Sequence, residues 1–365
     1  MRPLIEDIRR NPLLWLLVLV PVVLLAHAIS PEAHTLLFGL SVLAIVPLAA
    51  LLSRATESVA SKTGDMIGGL LNATLGNLTE LVIALTALRA GQYVLVKASI
   101  VGAIVTNTLF MLGASFLIGG LKYHVQEYNR NTARLQASLL FLATIAILIP
   151  SVLVKADEAT THVAFMGSLS VALSVLLILA YGLGLLFSLK THRELFGTKE
   201  QHDEHHESEW PQVLALTTLA VVTLLVALVS EVFVESVQQA AATLGMTPAF
   251  VGVVIVALVG GAAEMVSAFS AAAKNKLDLS VGIALGSAAQ IALFVAPVLV
   301  LVSYLIGPTP MDLQFWGGAV TMMLIAAMTA SLVTNAGRSA WFGGALILAV
   351  YIIFAMTLYL LPPRA

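Results

Sequence analysis

Eleven runs of mostly apolar residues recur along this chain, and they constrain its fold more than any other feature. A bilayer span needs about 20 such residues, because nothing in hydrocarbon can solvate an unpaired backbone group. The runs are Leu13–Ile29 (M1), Thr35–Ser53 (M2), Met66–Leu88 (M3), Val94–Gly119 (M4), Leu135–Val154 (M5), Val163–Leu189 (M6), Val213–Val234 (M7), Pro248–Ala273 (M8), Leu279–Ile306 (M9), Phe315–Thr334 (M10) and Ala340–Leu361 (M11). Charged residues make up only 10% of the 365, where a soluble domain carries roughly 25%. Too few polar groups remain to cover a water-facing surface. The expected fold is therefore all-α and polytopic, about 11 transmembrane helices with the lipid bilayer as partner. A net charge of −2 argues against nucleic acid, and the absence of Cys removes disulfides, thiolate metal sites and cysteine nucleophiles together.

The distribution of Lys and Arg tests the count independently of hydropathy. With the N-terminus cytoplasmic, only Arg89, Lys97, Lys155 and Arg364 fall outside, and the other fourteen of the eighteen fall inside. Losing one internal span scrambles that partition. The expectation is an integral protein of a prokaryotic plasma (inner) membrane, N-terminus cytoplasmic and C-terminus external. Trp15, Trp210, Trp316 and Trp341 stand at segment starts, as interfacial anchors do. M1 also fits a signal peptide, with Arg9 and Arg10 before an apolar stretch and Ala26-His27-Ala28 after it. Pro21 and the extension to Ile29 favour a retained helix.

The organisation read from the chain is an extra N-terminal helix (1–34), a first five-helix half (35–189), a cytoplasmic acidic linker (190–212) and a second half (213–365). Between M2 and M3, Arg54 to Asp65 reads as an interfacial helix. The linker carries Glu200, Asp203, Glu204, Glu207 and Glu209, carboxylates placed to capture cations and regulate. Its His202, His205 and His206 read as part of a solvated tract rather than a metal site.

Residues 67–121 written above 251–305, an offset of 184 without a gap, bring unusual residues into coincidence. Gly68 falls on Gly252, Gly76 on Gly260, Glu80 on Glu264 and Gly102 on Gly286. An odd number of spans separates M3 from M8, so the two repeats are inverted, an architecture of secondary transporters with a site near the midplane.

The chemistry sits at those coincidences. An ionised carboxylate at the bilayer centre costs at least about 2.5 kcal/mol, and Glu80 and Glu264 lie mid-segment. Either could be a protonated interhelical donor, but two at equivalent positions favour function. Gly76 and Gly260, each four residues earlier, let a helix unwind and expose carbonyls. Asn107 and Gln290 read as further ligands or as amide glue between helices; Thr106 and Ser287 read more simply as packing residues. Asn77 neighbours Glu80. Glu231 is either a snorkelling acid or a vestibule acid. Sequons at Asn72 and Asn77 lie within M3, out of reach of glycosylation.

The run Gly76-Asn77-Leu78-Thr79-Glu80-Leu81-Val82-Ile83-Ala84-Leu85 resembles the first α-repeat of the cation/proton exchanger family, the microbial and plant calcium/proton antiporters. Gly260, Ala262-Ala263-Glu264, Lys274-Asn275-Lys276, and Gly286-Ser287 through Gln290 to Pro297 resemble the second. The resemblance covers nearly the whole chain beyond M1. It implies ten core helices in two inverted sets of five, an extra first helix, and Glu80 and Glu264 as the shared cation and proton site. Asn77 and Ser287, which fall within the quoted runs, complete the expected cation- and proton-binding set. The chain departs from the family pattern at Gly261, Met265 and Ala103, where Asn, His and Ser are usual.

The expected function is secondary antiport of calcium against protons, without a cofactor and without enzymatic chemistry. Two oxygens each from Glu80 and Glu264, one each from Asn107 and Gln290, and the Gly76 and Gly260 carbonyls supply a hard-ligand set within the six to eight that calcium takes, by about the usual count. A divalent cation neutralises both glutamates, as two protons do. The empty, doubly charged site is the costly state, so the carrier crosses only when loaded. A monovalent cation/proton or manganese/proton antiporter fits the same scaffold. A metallohydrolase lacks the His ligands that H-E-x-x-H sites need, and a channel fits poorly with bulky apolar helices around one paired-acid site.

Overall fold

In the computed structural model, residues 2–63, 65–153, 159–192, 194 and 210–360 are described. The acidic linker residues Glu200, Asp203, Glu204, Glu207 and Glu209, and the three histidines among them, lie outside these. We number the helices α1 Arg2–Arg10, α2 Pro12–Ile29 (opening as a 3-10 turn), α3 His34–Ala60, α4 Asp65–Leu75, α5 Leu78–Arg89, α6 Tyr93–Tyr123, α7 Arg130–Leu153 and α8 Ala159–Leu186. They continue as α9 Gln212–Thr243, α10 Pro248–Gly260, α11 Ala262–Ala273, α12 Leu277–Ile306, α13 Gly317–Thr334 and α14 Trp341–Leu360.

Among the described residues, nine helices are long and apolar enough to cross a membrane, and α10 with α11, bent by 62°, makes up to ten. The expected eleventh span, M3, is divided instead into α4 and α5, of 11 and 12 residues. Neither reaches the ~20 residues a span requires. The division has a local cause: Gly76 and the polar Asn77 interrupt the apolar run, and Asn77 takes up a non-helical φ of −99° and ψ of 31°.

One further expectation changes. Arg54–Ala60 is not a separate interfacial helix but the last turns of α3, because Ala55, Thr56 and Val59 continue its buried face. The fold is all-α, as expected, with one short ribbon beside the helices. Val125–Glu127 pairs antiparallel with Arg338–Ala340 as a short ribbon, β1 and β2, joining the loop after α6 to the start of α14. The amphipathic α1 preceding M1 has no counterpart in the sequence reading. Its Asp7 Oδ2 accepts a hydrogen bond from Trp210 Nε1 at 2.8 Å and lies 3.6 Å from Arg54 Nε. Trp210 is only 1% exposed, so the end of the linker is anchored between α1 and α3.

The internal repeat is written into the backbone as well as the residues. The breaks at 76–77 and 260–261 are separated by 184 positions. So are the left-handed residues that follow α5 and α11, Gly91 (φ 72°) and Asn275 (φ 63°). The π-helical turns Thr106–Met111 in α6 and Ile291–Val295 in α12 overlap at the same offset. Turns of this kind cluster at functional sites, where the extra residue re-aims side chains.

The core is the meeting of the repeats. α6 crosses α10 so closely that a methyl group on Gly102 would lie 2.5 Å from Val253 Cα and 2.7 Å from the Gly252 carbonyl oxygen. Glycine is required there because backbone meets backbone. We predict that Gly102→Val lowers stability by about 1–3 kcal/mol or more, the usual cost of overpacking. Detergent-solubilised thermal unfolding should show a lower Tm for this variant and little change for Gly39→Ala, where a methyl meets nothing within 4 Å.

Candidate functional site

Each break starts a new helix, and each new helix places a glutamate in its first turn. Asn77 precedes α5 and Glu80 is its third residue; Gly261 precedes α11 and Glu264 is its third. The first turn of a helix presents unpaired N–H groups and the positive end of its dipole, so it favours a negative charge. The sequence thus breaks two apolar helices mid-segment and puts a carboxylate at each exposed end.

The structure brings all eight expected residues into one cluster. Glu80 packs against the second break: a methyl on Gly260 would lie 3.0 Å from its Cγ and 3.4 Å from Oε1. Gln290 packs against the first, with Oε1 3.6 Å from the corresponding position on Gly76. Each repeat thereby fills the glycine gap of the other, and larger residues at 76 or 260 would displace site groups. Glu264 lies near enough to Glu80 for their charges to repel, and beside Ser287.

Ser287, read from the sequence as a packing residue, is the hub. Asn107 Nδ2 donates to its Oγ at 2.8 Å, and Oγ donates to Asn77 Oδ1 at 2.7 Å. This relay passes from one repeat through the other and back. Asn77 and Asn107 are each 1% exposed, and Ser287 and Gln290 each 6%. Glu80 and Glu264 are intermediate in exposure as whole residues, although Glu264 Oε2 itself is buried, so the cluster is most tightly enclosed on its amide side.

Three buried polar atoms here lack a protein partner: Glu264 Oε2, Gln290 Nε2 and Asn77 Nδ2. A buried polar group without a partner costs about 1–3 kcal/mol. Such a concentration is what a site for a small polar guest presents. A half-turn of the Gln290 carboxamide offers an oxygen in place of the nitrogen, so the donor set suits a hard cation.

Other candidates fall outside this cluster. The Thr106 hydroxyl donates to Tyr351 Oη at 3.4 Å, toward α14 rather than the glutamates. Glu231 is 3.9 Å from Arg89 Nη1 on an exposed surface. The sequence reading missed Tyr351, which also packs on Phe110 beside the α6 π turn. Its signal was a hydroxyl-bearing ring inside an apolar run. Gly261 has a consequence of its own: a side chain there would start 3.6 Å from Asn107 Oδ1 and 3.3 Å from Met265 Cε. Glycine at 261 and methionine at 265 therefore leave the Asn107 flank free of a polar neighbour from α11.

Comparison with known proteins gives a consistent set of relatives. The sodium/calcium exchanger protein family matches residues 33–190 and 214–360. A Ca(2+)/H(+) antiporter of Aphanothece halophytica is 40% identical over 360 residues, covering 95% of this chain and 96% of its own. The Ca(2+)/H(+) antiporter ChaA of Bacillus subtilis is 42% identical over 328 residues, 89% of this chain and 92% of its own. The solved structure of native YfkE superposes with a TM-score of 0.83 at 37% identity, over 96% of this chain and 100% of that one.

The relay carries its own prediction. Ser287→Ala leaves Asn107 Nδ2 and Asn77 Oδ1 buried without partners, at about 1–3 kcal/mol. Ser287→Thr keeps the hydroxyl. Denaturation in detergent should show the alanine variant clearly less stable and the threonine variant closer to the parent.

Proposed function

The chain belongs to the sodium/calcium exchanger protein family, and from that premise we propose that it exchanges calcium for protons across its membrane by alternating access at the Glu80–Glu264 pair. Ca(2+)/H(+) antiporters at 40% and 42% identity, matched almost end to end, support calcium over the monovalent and manganese alternatives. The observation that carries the site is the pairing of two glutamates, one from each repeat, at breaks 184 residues apart and amid unpartnered polar atoms.

The geometry gives each residue work to do. Glu80 and Glu264 bind the cation or a proton each. Asn107 and Asn77, locked by Ser287, fix the amide wall against which the cation rests. Gln290 closes the side next to Gly76. Gly76 and Gly260 keep the breaks free of side chains, leaving backbone carbonyls available as ligands. Two carboxylates facing each other repel strongly in a medium of low dielectric. Calcium or two protons remove that repulsion, and the empty charged site is penalised in crossing. That penalty couples the fluxes, so an inward proton gradient drives calcium out. The chain acts as a carrier and needs no cofactor; calcium and protons are its substrates.

The orientation we propose puts the N-terminus, the start of α4, the end of α11 and the acidic linker on the cytoplasmic side, with the C-terminus external, in a prokaryotic plasma membrane. Fourteen of the eighteen Lys and Arg then lie inside. The linker ends at Trp210, which is pinned to Asp7.

Calcium uptake into everted vesicles under an imposed proton gradient tests the exchange. Glu80→Gln and Glu264→Gln, which keep volume but cannot alternate between anion and acid, should each abolish it in a folded protein. Coupled exchange at parental rate in either variant would overturn the shared-site reading. Neutralising the five linker carboxylates together should shift the calcium dependence while exchange persists, because these groups act at long range and salt screens them. Complete loss of transport in that folded variant would instead place them in the transport path.

A further inference from the structure

At one crossing in this fold the repeats interlock, and at its symmetry mate they do not. α6 presses Ala98 and Gly102 onto Gly252 and Val253 of α10. A methyl on Gly252 would lie 2.3 Å from Ala98 Cβ, and one on Gly102 2.5 Å from Val253 Cα. All four residues are buried. Moving by 184 positions carries Ala98 and Gly102 to Gly282 and Gly286 of α12, and Gly252 and Val253 to Gly68 and Gly69 of α4. All four mates are glycine, yet they stand apart. Around Gly282 nothing lies within 4 Å of a built methyl; Gly286 meets only the Gln136 carboxamide, at 3.0 Å. Gly68 faces the Ala60 carbonyl and Gly69 the Leu189 side chain. Gly282 and Gly286 are partly exposed where Ala98 and Gly102 are not.

Resting on the alternating-access reading above, we propose that this is the unmade half of a symmetric gate. α4 swings to dock Gly68–Gly69 on Gly282 and Gly286, closing the rim on which that crossing stands open, and Gln136 of α7 fills the seat while it is empty. Glycine inside a helix costs roughly 1 kcal/mol against alanine. In the open arrangement Gly282 gains nothing for that cost, since no neighbour needs the space. In a closed arrangement that repeats the crossing of α6 and α10, backbone must meet backbone, and only small residues allow it. Gln136 is a loose occupant: Nε2 reaches the Gly282 carbonyl at 3.4 Å, and Oε1 is buried without a partner. It leaves the seat without breaking a strong contact. In this arrangement Gln136 is a positioning residue, never touching the cation.

The chain contains no Cys, so Gly282→Cys supplies a single thiol on the seat. In membranes oriented with the cytoplasmic face outward, an impermeant maleimide should label it readily without calcium. Saturating calcium should slow labelling about twofold or more, because a carrier closed for half its time is protected for that fraction. Gln136→Ala in that background should slow it further by freeing the seat. Gly282→Leu, which fits the open arrangement but obstructs docking, should lower exchange about tenfold or more while keeping the parental Tm. Gly282→Ala, matching Ala98 in the made crossing, should exchange far better than the leucine variant. Labelling indifferent to calcium, or a leucine variant exchanging at the parental rate, would overturn the gate. Absence of exchange in the unmodified protein would count against the calcium/proton reading instead, so the two failures are distinct.

Discussion

Everything in this molecule is arranged around the cost of holding two carboxylates close together away from water. A single intramembrane acid can be tolerated as a protonated hydrogen-bond donor, but two acids facing each other demand a guest. The helix breaks supply the first compensation, since Glu80 and Glu264 each sit in the first turn of a new helix. The amide relay through Ser287 supplies the second, by fixing polar groups that need not reorganise when the guest arrives. Neither compensation neutralises the pair. What remains is the driving force for binding, and it falls on whichever cation or protons are present.

That requirement explains why the sequence spoke clearly about the site and less clearly about the spans. Gly, Glu and Asn are expensive in an apolar helix, so their coincidence at an offset of 184 is informative, and all eight expected residues meet in space. Segment counting is blunter. The same Gly76 and Asn77 that make the site also divide M3 into two short helices, and the count by length drops accordingly. The features that build the proposed site are those that spoil the hydropathy signal.

Other misses have different causes. Helix α3 runs past the apolar stretch because its buried face is made of Ala55, Thr56 and Val59, which a search for large apolar residues ignores. The β1–β2 ribbon rests on pairing between residues more than 200 positions apart, and no local pattern announces it. Ser287 reads as packing because a serine in a membrane helix usually bonds to its own backbone. Only the positions of Asn77 and Asn107 on other helices reveal that it reaches across. Nothing local marks Gln136, because its partner surface, on α12, lies some 150 residues away in sequence.

The ribbon has a mechanical meaning. Lys122 Nζ and Tyr123 Oη both donate to the Ala273 carbonyl, and Gln126 Nε2 donates to that of Ala272, so the end of α6 grips the end of α11. Asn129 N–H bonds to Asp278 at the start of α12, and β2 leads directly into α14. Four helices are thus clamped on one rim of the molecule by a strip of six strand residues and its flanks. A lever needs a fulcrum, and this strip is one. With α11 and α12 of the second repeat and the end of α6 held by it, motion on that rim is left to α4, and a nominally symmetric machine acquires a stationary part and a moving part.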